Sequence, residues 1–174
     1  MKKVLKFAGL ISAVLALIGF ILIMATPVAA YHDSNANAYF GGLNAIFATG
    51  KCQASGGGIS IAVDFDGKLA WSALLAWIFV LVALLILVAG IVLPLLKVKA
   101  LDKFAGVLNL VAVCLLVVAG IFVFISKATF WAANKYDGGD YSLGIGWIFA
   151  GIFFLLAGAI AIAPAAVDFL GKKK

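Results

Sequence analysis

The chain has 174 residues, 66% of them hydrophobic and 11% charged, with a mean hydropathy of +1.23, whereas soluble domains are about half apolar and a quarter charged. A soluble domain of this size needs a polar shell, so the excess apolar surface must face lipid, and the length allows one membrane bundle with no second domain. The formal charge of +6 does not point to nucleic acid, because the Lys residues are thinly spread and form neither a basic helix face nor a basic patch with stacking aromatics.

A bilayer core of about 30 Å needs about 20 apolar residues in a helix, and four stretches supply them: 7–30, 69–96, 104–125 and 143–167. None contains a charged residue. Backbone groups in lipid must bond internally, so each span is expected to be helical despite its Val, Ile and Phe content. The first span has a rival explanation. Lys2 and Lys3, an apolar run, and Val28, Ala29 and Ala30 before Tyr31 resemble a signal peptide with a small-residue cleavage site. The run is longer than the usual 7–15 residues of such a segment, and we read it as a retained span. Cleavage would leave three spans and move the N-terminus outside.

The outer loop 31–68 follows. Residues 31–37 are polar and turn-like, and 39–48 mix aromatic and small residues. Gly56, Gly57 and Gly58 then precede Ile59, Ile61, Val63 and Phe65, which alternate with Ser60, Ala62, Asp64 and Asp66. Period-two alternation after a glycine cluster predicts a short strand. It should pair with another extended piece of the same loop, because a lone strand leaves its backbone exposed. The loop also carries Cys52 and the chain's one histidine, His32, beside Asp33; one His and one Asp fall short of the three or four ligands of a metal site.

The second and third spans are joined by an inner turn, 97–103. In the third span Asn109 is the strongly polar side chain within the apolar run, and helix-to-helix hydrogen bonding is its expected role. Cys114 sits near the middle of that span, too far from Cys52 for the approach of about 7 Å between Cα atoms that a disulfide requires. Cys52 is left as a free thiol or a link to another molecule. The second outer loop, 126–142, holds Trp131, Tyr136 and Tyr141 around a turn signal, Asp137-Gly138-Gly139-Asp140. In the fourth span Gly144, Gly146, Gly151 and Gly158 mark the closest helix contacts expected in the bundle. Pro27, Pro94 and Pro164 stand near span ends and read as helix terminators.

Lys positions set the orientation. Lys2, Lys3, Lys6, Lys97, Lys99, Lys103, Lys172, Lys173 and Lys174 fall on one side, against Lys51, Lys68, Lys127 and Lys135 on the other. That excess places both termini and the inner turn in the cytoplasm. All four Trp and all four Tyr lie in the outer loops or the outer parts of the spans. They form either an interfacial anchor belt or an aromatic surface that meets a partner. There is no Arg and no Glu, a bias that fits an AT-rich bacterial genome, and we expect a plasma-membrane protein of bacterial origin.

The inventory argues against chemistry in the membrane, since ionisable groups within spans mark function and these spans have none. No cofactor or metal site and no catalytic residue is expected. The arrangement of cytoplasmic ends, long strand-bearing first outer loop, short inner turn and short second outer loop resembles the claudin and peripheral myelin protein superfamily. Ser142-Leu143-Gly144-Ile145-Gly146-Trp147 is similar to the opening of the last claudin span, and Gly42-Leu43 followed by Cys52 to half of the claudin loop signature. The resemblance implies a four-helix bundle with strands in the outer loop. The loop lacks the signature's Trp residues and has one Cys where claudins have a pair, so strand-lined paracellular pores do not follow.

The fold class expected is an all-α membrane protein, a four-transmembrane-helix bundle with a small strand-containing extracellular loop. Its expected role is non-enzymatic assembly or adhesion through that loop, as a homo-oligomer or a small subunit of a membrane complex in the lipid bilayer. Tyr39, Phe40, Cys52, Ile59, Ile61, Val63, Phe65, Trp131, Tyr136 and Tyr141 are the candidate partner-facing residues. The alternative is a channel or transporter subunit with a pore between protomers, lined by Asn109 and the glycine-rich fourth span.

Overall fold

The computed structural model describes residues 2–32, 36–92, 105–135 and 140–170. In chain order the elements are α1 (Lys2–Ala25), β1 (Pro27–His32), β2 (Ala36–Gly41), α2 (Gly42–Phe47), β3 (Lys51–Gly56), β4 (Ile59–Asp64), α3 (Trp71–Val92), α4 (Ala105–Asn134), β5 (Asp140–Leu143) and α5 (Ile145–Leu170). Four of the helices, α1, α3, α4 and α5, are long and apolar enough to cross a membrane, and the chain is a multi-pass membrane protein.

The four long helices form a closed ring of neighbours, α1 on α3, α3 on α4, α4 on α5 and α5 on α1. Small side chains make the buried seams: Ala13 and Ala16 on α1, Ala73, Ala76 and Ala83 on α3, Ala112 and Ala119 on α4, Ala150, Ala157 and Ala161 on α5. Lipid is as apolar as leucine, so such helices associate by close packing and by hydrogen bonds, and large side chains such as Leu10, Val14, Leu85 and Phe149 are left on the outside. Ser12 Oγ donates to Ala157 O at 2.7 Å, tying α1 to α5. Between α3 and α4, Ser72 Oγ lies 2.6 Å from Thr129 Oγ1 and 3.2 Å from Ser126 Oγ.

All five strands lie at one end of the bundle, in an antiparallel sheet of order β4-β3-β2-β1-β5. The last of these comes from the second loop and pairs with β1, so the two loops build one sheet. An open-edged sheet cannot lie in hydrocarbon, so this end of the molecule stands in water. The strand expected from alternation is β4, and its partner β3 belongs to the same loop, joined by Gly57 and Gly58 at φ 58° and 80°. Two consecutive left-handed residues are the requirement of the tight hairpin turn that matches strand twist, which glycine meets without strain.

The observed element ends correct several expected boundaries. Helix α1 stops at Ala25, not at residue 30, because the residue before a proline is pushed out of the α region and Pro27 opens β1. Val28 and Ala29 are buried, but in the sheet. The polar stretch 31–37 is not a turn throughout: Tyr31 and His32 complete β1, and β2 begins at Ala36. The third span does not end at Ile125 but continues to Asn134. Its 30 residues extend about 45 Å, well beyond a hydrocarbon core of about 30 Å. Ser126 and Thr129 do not break it because each bonds back to the helix, to Phe122 O and Ser126 O. Helix α5 begins at Ile145 and runs through Pro164 to Leu170, so that proline is not a terminator; a proline is tolerated within a membrane helix where neighbours satisfy the freed backbone. The inner turn 97–103 and Pro94 lie outside the described residues.

Candidate functional site

Strand registers define the two faces of the sheet. Ala29 and Tyr31 of β1, Ala38 and Phe40 of β2, Cys52 and Ala54 of β3, Ile59, Ile61 and Val63 of β4, and Tyr141 and Leu143 of β5 share one face. His32, Asn37, Tyr39, Gln53, Ser55, Ser60, Asp64 and Ser142 share the other. The sheet is therefore amphipathic, with its apolar face turned toward the bundle.

The overrun of α4 is what covers that face. Trp131 stacks on Tyr141 at 4.2 Å and 12°, and on Tyr31 at 6.4 Å, with Phe40 edge-on at 5.8 Å. Phe130 lies 5.3 Å from Phe40 and stacks on Phe65 at 5.7 Å. Lys127 closes the end of this stack, its Nζ 4.8 Å above the Tyr141 ring and donating to Tyr141 O at 3.3 Å. Aromatic packing of this kind adds to area burial, and the cluster joins both loops to one helix.

Polar pins complete the junction. Asn44, 1% exposed, accepts from Gly41 N–H through Oδ1 and donates through Nδ2 to Thr49 O, both at 2.7 Å. Asn134 accepts from Lys68 N–H at 2.6 Å and donates to Lys68 O at 2.9 Å, fastening the end of α4 to the approach to α3. Buried Trp147 donates its indole N–H to Thr26 O at 3.2 Å. Neither Asn44 nor Asn134 belongs to a motif that marks it in the sequence. Their signal is the asparagine itself, a side chain that satisfies backbone groups at turns and helix ends.

The candidate partner-facing residues divide on this geometry. Phe40 and Trp131, 7% and 6% exposed, are core of the sheet-to-helix junction; burial under each other removes them from any surface. Phe65 and Tyr141 are half-buried in the same cluster. Tyr39 stands on the polar face, edge-on to His32 at 6.0 Å, and His32 Nδ1 lies 2.8 Å from Asn37 Oδ1. Cys52 is a free, half-buried thiol that donates to Val63 O at 3.5 Å, and Cys114 is free on the outside of α4. Tyr136 lies outside the described residues.

Ile59, Ile61 and Val63 are different. They are 69%, 55% and 45% exposed, although they belong to the apolar face, because the aromatic cover supplied by α4 ends at β2 and Phe65. Ile59 and Ile61, with Ala54, Ser55 and Gly56, line a shallow open depression at the β3–β4 hairpin. Every residue of β4 is exposed.

The helix-packing candidates sit against neighbours. A Cβ on Gly151 would meet the Phe124 ring at 2.7 Å and one on Gly158 would meet Val117 Cγ2 at 3.0 Å, both on α4. Gly146 abuts Thr26, and Gly144, just before α5 and outside it, abuts the carbonyl of Pro27 while donating its N–H to Val28 O at 3.0 Å. Asn109 faces α3, where a Cβ on Gly90 would lie 3.4 Å from its Oδ1. Gly19, whose added Cβ would meet the Phe154 ring, makes the equivalent close contact between α1 and α5. Among the described residues no group of three or more His, Cys, Asp or Glu could hold a metal ion. No protein-family model matches the chain, and a search of curated proteins finds no relative.

Proposed function

We propose that the chain is a non-enzymatic four-span membrane protein that works in assembly or adhesion through its sheet end, pairing with copies of itself or serving as a small subunit of a membrane complex. The observation that carries this reading is the uncovered part of the apolar sheet face at Ile59, Ile61 and Val63. A contiguous apolar row left in water is the kind of surface that interaction sites use. Gly151 and Gly158 bear on the alternative of a pore lined by the fourth span: side chains of α4 occupy the space beside both, so their service as packing contacts accounts for them. The excess of Lys at the opposite end supports placing the sheet outside the plasma membrane with both termini in the cytoplasm. A claudin-like architecture is part of the same proposal, supported by topology and by residues 142–147.

The test is purification in mild detergent followed by determination of the protein mass within the micelle and identification of whatever co-purifies. Two or more copies, or a stoichiometric membrane partner, is the expected outcome. A lone monomer overturns the proposal.

A further inference from the structure

The hairpin geometry specifies which backbone groups of β4 are unused. The turn residues Gly57 and Gly58 leave Gly56 and Ile59 as the first pair of the ladder, followed by Ser55 with Ser60 and Ala54 with Ile61. In an antiparallel ladder, hydrogen-bonded pairs alternate with non-bonded pairs. A two-residue turn makes the first pair a bonded one, so Ile59, Ile61 and Val63 direct their N–H and C=O groups at β3. The bond from Phe65 N–H to Gly50 O, at 2.9 Å, continues the same alternation. Ser60, Ala62 and Asp64 therefore direct theirs away from the sheet.

Among the described residues that free edge has little of the usual protection, its one charge being Asp64 at the strand's end. Natural edge strands are blunted by lysine, proline, bulges, short length or a covering element. Strand β4 has no Lys and no Pro in Ile59-Ser60-Ile61-Ala62-Val63-Asp64, its register with β3 runs without a bulge, and it is exposed along its whole length. The opposite edge is shorter, since β5 spans 4 residues. The pattern of β4 is also nearly its own reverse about Ile61: large apolar, small, large apolar, small, large apolar. A two-fold contact joins a patch to itself and requires this kind of self-complementarity.

We propose that the free edge of β4 pairs in antiparallel register with the same edge of a second copy, merging two sheets into one. This deepens the assembly reading above and rests on it. The register is centred on Ile61. Ser60 then exchanges backbone hydrogen bonds with the partner's Ala62, and Ala62 with the partner's Ser60. Ile61 meets the partner's Ile61 in a non-bonded pair, Ile59 meets the partner's Val63, and the two exposed apolar rows become one continuous surface. Asp64 falls beyond the paired stretch, so no carboxylate opposes another. Centring on Ala62 instead sets Ile59 against the partner's Phe65, which lies past the end of the strand.

The test uses the full chain in mild detergent, in a Cys52→Ser, Cys114→Ser background. Cα atoms of a non-bonded antiparallel pair are about 4.5 Å apart, within disulfide range. Ile61→Cys should therefore form a disulfide dimer under mild oxidation, while Val63→Cys, set opposite Ile59, should give less than about a tenth of that yield. Ala62→Pro removes only an outward N–H, and Ser60→Lys places a charge at the edge. Each should reduce the protein mass to one copy with an unchanged far-UV circular dichroism spectrum. If the protein stays paired in both edge variants and Ile61→Cys links no better than Val63→Cys, edge pairing is overturned while assembly by another surface stands. A different protein that co-purifies and is lost in Ser60→Lys overturns self-pairing. A single-copy mass without substitution removes both this inference and the reading beneath it.

Discussion

Asn44 offers the sharpest test of how the sheet is held to the bundle. Its two side-chain hydrogen bonds, each of 2.7 Å, close the loop from Gly41 to Thr49 around α2, and the next residue, Ala45, accepts through its carbonyl from Ala70 N–H at 2.8 Å, at the start of α3. Asn44→Ala deletes both bonds. Each contributes about 1 kcal/mol net, and a buried polar group left without its partner costs about 1–3 kcal/mol. Water reaching the vacated space offsets part of this, so the expected loss is about 2–4 kcal/mol, some 30- to 1000-fold in the unfolding equilibrium. Asn44→Asp separates the two bonds. The carboxylate still accepts from Gly41 N–H but faces the carbonyl oxygen of Thr49, whereas the protonated acid can donate to it. The folded state therefore favours the protonated form and raises the affinity of the introduced carboxyl for its proton. Stability relative to Asn should be highest below the ordinary carboxyl range and should fall as pH rises through the raised folded value. Equilibrium unfolding in detergent from pH 4 to pH 8 measures the free energies, and amide hydrogen exchange over 42–56 locates the loss. An Asn44→Ala protein within about 0.5 kcal/mol of the parent, together with a pH-independent Asn44→Asp, would refute the reasoning.

Gly144→Ala forces a methyl group into the carbonyl of Pro27 and should destabilise by about 1–3 kcal/mol or more. Gly9→Ala, where nothing lies within 4 Å, should be neutral or favourable by up to about 1 kcal/mol; paired unfolding curves compare them. Trp147→Phe should cost only about 1 kcal/mol beyond its change in packing, because Thr26 O keeps its bond from Gly42 N–H at 3.0 Å; equilibrium unfolding followed by circular dichroism reads the difference. In a Cys114→Ser background, a membrane-impermeant maleimide added to intact cells should label Cys52, and labelling that requires lysis would reverse the proposed orientation.

The sequence displayed the bundle because lipid imposes one demand, about 20 apolar residues with self-satisfied backbone, and each span meets it openly. It did not display where each helix ends. Pro27-Val28-Ala29-Ala30 is as apolar as the span before it, and apolarity is the same whether a residue faces lipid, as Ile21 does, or the interior of a sheet, as Val28 does. The end of α4 was hidden for the opposite reason. Ser126, Lys127 and Thr129 read as loop, yet the hydroxyls bond within the bundle and Lys127 reaches Tyr141. Strand β4 was legible from its alternation. Strands β1, β2, β3 and β5 were not: small residues make up half or more of β2 and β3, β1 continues the apolar run of the first span, and β5 has four residues. Sequence could not separate Trp131, stacked on two tyrosines, from Trp71, which is exposed.

A consequence follows for where specificity resides in a chain with so few reactive side chains. Among the described residues, the buried polar side chains Ser12, Ser72, Ser126 and Asn44 each bond to backbone or to one another within the fold. The transmembrane helices satisfy their own backbone, and strands β1, β2 and β3 each have neighbours on both sides. On β4 the outward N–H and C=O of Ser60 and Ala62 have water as their alternative to a partner, and they lie beside an apolar row that water solvates poorly. Recognition built from main-chain hydrogen bonds with side chains as register marks is the mode by which one strand adds to another. It tolerates change at Ser60 or Ala62 toward other small residues and is intolerant of charge or of a missing N–H. Substitution tolerance along β4 should therefore follow the strand's edge rather than its chemistry, and Ala62→Ser should pair as the parent does where Ala62→Pro cannot.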